Sequence, residues 1–283
     1  MSGIIYFAGD SRLEKETLMS YDNLHTGSTT VPNQSQWRIK AENLLADRDI
    51  WTPTVDKKFP LGAIAESRDG RKWRYQRAGA VALTIATINQ SAVETANWVD
   101  EPQTVSGGAV VAAIGDKSIT LLVQTAPTAD AWVDGYLWTE NGTGEGNMYV
   151  IKEHSLTTNP VVQLADRGGI RTATVDGCDI SVHANPYALV VTFPTDPTGI
   201  CTGICHTAVP VNYYFWGQVH GPCAIFNGTD TIVTGDGVVA GAQAAGVLAL
   251  EDGSAPNEGD VHIGYAMRAA TSGEVALIFL TIE

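Results

Sequence analysis

From Phe59 onward the chain never holds one hydrophobic period for long: short runs of Val, Ile, Thr and aromatic residues are cut by glycine-containing turns. That texture leaves no room for long amphipathic helices and predicts an all-β fold, a β-sandwich or barrel body rich in glycine hairpins. Asp-Gly recurs at 69–70, 134–135, 176–177, 236–237 and 252–253, and Asn-Gly at 141–142 and 227–228. A type I′ turn needs positive φ at both central residues, so several of these pairs are expected to close hairpins. The clearest hairpins join 135–139 to 147–153 and 261–270 to 274–282. Residues 275–280 are apolar at every position. A central strand, or one buried between subunits, explains such a run.

The first 58 residues read differently. Apolar side chains are scattered there without a steady period, except for Trp37, Ile39, Leu44 and Leu45, which predict a short helix within 35–50. The rest reads as an extended arm that gains order by lying on something else. Residues 59–105 are read as a basic hairpin and a connecting segment, in which 80–99 fits helix, strand and loop alike. Residues 106–283 form the β body, with a candidate division near 195–210. Residues 235–246 are rich in small side chains, which suits a close backbone contact. Apart from two similar Asn-Gly-Thr turns, no internal repeat stands out.

Charge narrows the function classes. With 17 Lys and Arg against 31 Asp and Glu, the formal charge is −14, which opposes phosphate backbones and anionic lipid. No nucleic-acid or membrane partner is expected. The charge is uneven: residues 1–80 carry 12 basic and 10 acidic side chains, leaving 5 basic and 21 acidic for the remainder. No run approaches the roughly 20 apolar residues of a membrane helix. The apolar run at 4–8 lacks a preceding basic residue and is short for a signal core, so synthesis in the cytosol without export is expected.

Three groups of residues bear on chemistry. Cys201, Cys205, His206, His220 and Cys223 fall within one short stretch and are of zinc-ligand type. Their spacing is not that of a tight knuckle, so they are weak candidates, and no metal or other cofactor is expected; reduced, buried thiols are the default reading. Gly142, Gly144 and Gly146 spell a glycine loop, but a β run follows where a phosphate loop needs a helix. No nucleophile elbow, zinc-protease helix or Walker loop is present, and no carboxylate pair stands out for a hydrolase. Finally, residues 68–77 pack Arg68, Arg71, Lys72, Arg74 and Arg77 around Trp73 and Tyr75. Alternation puts Lys72, Arg74 and Gln76 on one face and Arg71, Trp73, Tyr75 and Arg77 on the other. This is read either as a charged edge hairpin that blocks aggregation or as a docking element with Trp73 as anchor.

Several stretches together resemble a known group. They are Pro60-Leu61-Gly62-Ala63-Ile64-Ala65-Glu66-Ser67-Arg68-Asp69-Gly70-Arg71-Lys72-Trp73-Arg74-Tyr75, Asn89-Gln90-Ser91, Gly142-Thr143-Gly144-Glu145-Gly146-Asn147-Met148-Tyr149-Val150-Ile151, Asn185-Pro186-Tyr187 and Tyr214-Phe215-Trp216-Gly217-Gln218. The pattern is similar to capsid decoration, or cement, proteins of tailed bacteriophages. The stretch from Asp236-Gly237-Val238-Val239 through Ile263-Gly264-Tyr265-Ala266 to the apolar end is similar to small capsid-decorating β domains. The likeness spans about residues 60–283 and rests on turn and strand chemistry.

The resemblance implies a non-enzymatic homotrimer on the outside of the virion capsid, clamping the major capsid protein lattice. It further implies that the arm and the basic hairpin, through Trp37, Arg38, Lys40, Arg68, Arg71, Lys72, Trp73, Arg74 and Arg77, contact the shell. The alternative is a tail or fibre component that binds host glycans through Trp132, Trp138, Tyr213, Tyr214 and Trp216. A virion-associated hydrolase is the third reading and has no residue in its favour.

Overall fold

A computed structural model describes residues 38–40, 50–93, 98, 112–175, 178–228, 231–241, 246–250 and 261–283. The protein is all-β, its curled antiparallel sheets forming a half-barrel, sandwich-like body. The strands are β1 (Arg38–Lys40), β2 (Ile64–Glu66), β3 (Lys72–Arg77), β4 (Ile88–Gln90), β5 (Ser118–Thr120), β6 (Tyr136–Asn141), β7 (Met148–His154), β8 (Val161–Leu164), β9 (Asp179–His183), β10 (Val191–Thr192), β11 (Cys201–Cys205), β12 (Tyr214–Phe226), β13 (Gly237–Ala240), β14 (Leu248–Leu250), β15 (Val261–Ala266) and β16 (Val275–Thr281). The larger sheet runs β1-β2-β3-β12-β16-β15-β13-β14, with β11 joining β12 to β4 and β10. The smaller runs β5-β8-β7-β6-β9.

Both expected hairpins form. β6 pairs β7 with Leu137 opposite Tyr149, and β15 pairs β16 with Tyr265 opposite Phe279. Asp69-Gly70 and Asn141-Gly142 close hairpins, with Gly70 at φ 84° and Gly142 at φ 88°. Residues 142, 144 and 146 form the tip of the β6–β7 hairpin.

Beneath this pairing lies a repeat. Three isolated antiparallel bridges, Leu83 with Val209, Ala112 with Thr174 and Ile232 with Ala270, are each embedded in the same local design. Three residues past the first bridge residue, the backbone turns through positive φ at Ala86, Gly115 and Gly235 (61°, 91° and 95°). The N–H of that residue donates to the carbonyl four residues before the second bridge residue: Ala86 to Cys205, Gly115 to Ile170 and Gly235 to Ala266, 2.8 Å in each case. The return bonds, Cys205 to Thr87, Ile170 to Asp116 and Ala266 to Asp236, complete the match.

The first and last repeats agree further. Ile88 faces Ile204 and Asn89 faces Gly203, then a bulge puts Gln90 opposite Cys201. In the last repeat Gly237 faces Tyr265 and Val238 faces Gly264, then a bulge puts Val239 opposite His262. A Cβ on Gly203 would lie 2.6 Å from the Gln218 carbonyl oxygen, and one on Gly264 would strike the equivalent Phe279 carbonyl oxygen still harder. Glycine is a packing requirement at both positions. The middle repeat is nested within the first and looser, because residues 165–169 leave the ladder between Ile170, bonded to Asp116, and Leu164, bonded to Lys117.

The first and last repeats share a core, in which Ile88, Phe193 and Ile204 pack with Ile225, Ile232, Val238, Leu248, Ile263, Ile278 and Leu280. Leu137, Tyr149, Ile151, Val162, Ile180 and Val182 surround Trp132 in a separate core drawn from residues 112–182. Residues 195–210, the sequence-based division, carry β11 inside the larger sheet; the separately cored part is 112–183. Residues 38–40 of the expected 35–50 helix form a strand parallel to β2, where backbone pairing outweighs a weak apolar period. Within that stretch Ile50 is helical, as is Trp51 beyond it, and the remainder lies outside the described residues. The ambiguous 80–99 segment contains β4 and turns, its described part being held by β10 and β11. Thr54 bridges Tyr214 and Lys57 pairs with Asp134 at 2.6 Å, so residues 50–58 belong to the body although the sequence assigns them to the arm.

Candidate functional site

The basic hairpin lies inside the larger sheet. β3 is bracketed by β2 and β12, so an edge position is excluded, and Arg71, Arg74 and Arg77 are drawn into ion pairs or ring contacts. Trp73 is 1% exposed and packs with Ala65, Tyr75 and Trp216, which makes it core rather than a docking anchor. Arg71 pairs with Asp69 at 2.8 Å and stacks over Trp73. Ser67 and Arg71 together hold the Asp69 carboxyl below its ordinary range. Arg74 forms an ion pair with Glu283, donates to the Gly62 carbonyl at 2.7 Å and lies over the Tyr187 ring. Arg77 stacks on Tyr214, Lys72 is half-buried at the start of β3, and Arg68 is exposed in the β2–β3 turn. Arg38 and Lys40 belong to β1, of which only the backbone is described, and Trp37 lies outside the described residues.

The outer face of the first repeat is roofed by the chain itself. Phe59 meets Tyr75 and Trp216 with ring centres 5.3 Å apart in each pair, and Trp51 meets His206 edge-on at 4.9 Å. A cleft of about 580 Å³ remains beside Thr52, Thr54, Lys58, Phe59, Tyr214 and Trp216. Among the glycan-platform candidates, Trp132 and Trp216 are buried at 0% and 3% exposure, while Trp138, Tyr213 and Tyr214 are half-buried. Contiguous aromatics at 213–216 therefore serve packing first.

The β11–β12 hairpin brings the Cys/His group onto neighbouring strands but points its members apart. Cys205 faces inward and its thiol donates to the Thr84 carbonyl at 2.7 Å. Cys223 lies in the core shared by the first and last repeats, and Cys201 packs against that core. Burial pushes the Cys201 thiol up to about 12 and raises Cys223 as well, where Cys205 adds to the effect. Such thiols stay protonated and unreactive. His206 lies on the opposite face. The Gln218 amide NH2 donates to the His220 and Pro222 carbonyls at 2.8 and 2.9 Å, which fixes its oxygen toward His206 Nε2 at 2.6 Å. His206 therefore carries its proton on Nε2, and burial holds its pKa below the ordinary value. His220 Nδ1 contacts the Glu283 backbone carbonyl at 2.7 Å. Among the described residues no three His, Cys, Asp or Glu side chains gather as a metal site.

Among the described residues nothing covers the outer face of the last repeat. β16 alternates strictly: Ala276, Ile278 and Leu280 are buried, while Val275, Leu277 and Phe279 are exposed. Phe226 pairs with Val275 on one side, and Tyr265 pairs with Phe279 on the other. Met267, bonded through its N–H to the Leu277 carbonyl, completes an exposed apolar sheet surface. The apolar run at 275–280 signalled this face. The contribution of Phe226, Tyr265 and Met267 was not legible, because it depends on the register of β12 and β15 against β16. No protein-family model, curated protein or solved structure matches the chain.

Proposed function

We propose that the protein is a structural virion component of a tailed phage: a decoration, or cement, protein that binds the outside of the major capsid protein lattice as a homotrimer and stabilises the head. It is made in the host cytoplasm and resides on the capsid surface, and it has no enzymatic role. The observation that carries the reading is the repeated β module. The C-terminal stretch that resembles small capsid-decorating domains, from Asp236 to Ile282, coincides with its third copy. The other quoted stretches supply β2, β3 and the start of β12, which pair directly. A chain built from copies of a small β unit offers broad sheet surfaces, and several such contacts multiply through avidity.

We assign contact with the shell to the segment before Arg38, to the exposed β2–β3 turn that carries Arg68 and to Lys72 at the start of β3. Co-sedimentation of purified protein with undecorated heads tests this. Saturable binding that raises the temperature at which heads release DNA is expected, with deletion of residues 1–37 weakening it. The deletion stops at 37 because Thr54 and Lys57 are tied to the body. No binding to heads, together with selective binding on a glycan array, would replace this reading with the tail-fibre one.

A further inference from the structure

The first and last repeats share turns, register and bulge, so their outer faces can be compared position by position. Tyr214, Trp216 and Gln218 occupy in the first repeat the places of Val275, Leu277 and Phe279 in the last, and Ile204 and His206 occupy those of Tyr265 and Met267. In the first repeat this face is covered: Trp216 is 3% exposed and Gln218 is fully buried, Phe59 and Trp51 lie across Trp216 and His206, and Ile204 packs into the core shared with the last repeat. In the last repeat the same face is open, with Tyr265 at 51%, Val275 at 56% and Leu277 at 42% exposure.

We infer that this face is covered by a second copy of the same chain. Counting roughly 150–250 Å² for a large side chain, Phe226, Tyr265, Met267, Val275, Leu277 and Phe279 expose on the order of 500 Å². A patch of that size lies in the upper part of the about 300–600 Å² range for the largest patch on a monomer. It also matches the apolar part of a standard interface, about 65% of some 800 Å² per partner.

Charge selects the occupant. The strand residues that frame the face, 220–226, 261–266 and 275–281, include no Asp, Glu, Lys or Arg in a chain of net charge −14. Next to it in sequence stand Arg268 and Glu274, one charge of each sign, so the face favours neither an acidic nor a basic partner. A second copy brings an equally uncharged face, so the two meet without the repulsion that their acidic surfaces would impose elsewhere. His220, in edge contact with Phe279, and His262, in contact with Tyr265, supply a polar rim.

The inference deepens the virion reading by naming the surface through which copies associate, and it rests on that reading only for the number of copies. Sedimentation of the full chain over a range of concentrations tests it, with Leu277→Glu and, in case that variant does not fold, Tyr265→Lys. The native chain is expected to be oligomeric. Each variant is expected to lose association by about 30-fold or more, the loss typical of a central contact, with its far-UV spectrum unchanged. Val161→Glu, on the smaller sheet, should leave association intact.

A native chain that stays monomeric, or variants that associate as tightly as the native chain, would overturn the inference. A monomeric native chain that binds a hydrophobic dye only after deletion of residues 1–37 would assign the face to the chain's own N-terminal segment instead. Head co-sedimentation separates the two conclusions. A monomer that still binds heads overturns this interface and the homotrimer while leaving capsid binding; an oligomer that ignores heads overturns capsid binding and leaves the interface.

Discussion

The first and last repeats are built on one plan and end in opposite relations to solvent. Each has a bridge, a positive-φ turn, a bulged strand pair and a glycine pressed against a neighbouring carbonyl. Yet the face that in the first repeat carries Trp216 and Gln218 under Phe59 carries in the last Leu277 and Phe279 under nothing described. The module therefore fixes the backbone, while the residues at alternate positions of its final strand decide whether the outer face is roofed or left open. Roofing brings aromatic and amide groups that bond laterally, as Gln218 does to His206 and to two carbonyls. The centre of the open face has aliphatic and aromatic side chains and the Met267 thioether, with no amide to bond laterally.

The shared backbone is the strongest part of the comparison and the place to strike it hardest. Gly264→Val and Gly203→Val each drive a branched side chain into a β carbonyl that cannot move without breaking the ladder. Both are expected to exceed the roughly 4 kcal/mol that marks an exceptional substitution, with Gly264 the worse because its approach is closer. Urea denaturation measures this, and two mild losses would show that the glycines are not a requirement of the module.

The roof is probed next by substituting equivalent positions. Trp216→Ala empties a packed site and should cost about 3–5 kcal/mol. Leu277→Ala, at the same position in the last repeat, should change the stability of the dissociated chain by no more than about 0.5 kcal/mol. Equal losses at the two sites would mean that the outer face of the last repeat is as covered within one chain as that of the first.

Titration sharpens the contrast further. His206 is half-buried beside Trp51 and Gln218, and that desolvation lowers its pKa, whereas the equivalent Met267 cannot titrate. A histidine whose folded pKa lies below its unfolded value, about 6.5, leaves stability fully present above that pH. The unfolded chain binds the extra proton as pH falls through the window, so stability declines there. The melting temperature should therefore drop between pH 7.5 and 5.5, and His206→Gln should flatten that drop. An unchanged slope would remove His206 as its source.

The all-β class and both long hairpins were legible because alternation and Gly-containing turns are local signals. The repeat was not. Its residue signature is thin: Gly168, Gly203 and Gly264, each followed five residues later by Ala173, Ala208 and Ala269, ahead of a bridge that shows only in space. The second copy sits inside the first, so Leu83 and Val209 are separated by the whole of residues 112–183 and no constant period survives. The basic run at 68–77 misled for a different reason. Its charges suggested an exposed edge, but the strand's position is set by pairing with Tyr214–Phe226, and the guanidinium groups are accommodated by stacking on Trp73, Tyr187 and Tyr214. The cysteines and histidines sat close in sequence on an antiparallel pair, where alternation sends neighbours to opposite faces.

The smallest expected effect concerns the seam between the two repeats. Arg74, on the strand beside the roofed face, grips the Glu283 carboxylate just past the end of β16, and the same carboxylate accepts the Tyr187 hydroxyl at 2.6 Å. Burial first, and then that carboxylate, raises the Tyr187 pKa, so the phenol remains a donor across the ordinary pH range. The pair is partly open to water, with 23% and 32% side-chain exposure, so its coupling should fall in the about 0–1 kcal/mol range of surface ion pairs. It should weaken further with salt. A double-mutant cycle of Arg74→Ala and Glu283→Gln reads that coupling directly. A value near zero would leave the seam held by the β12–β16 ladder alone. A value well above 1 kcal/mol would mean that the roofed repeat electrostatically fixes the strand bearing the open face, so that changes at β3 would be felt in self-association.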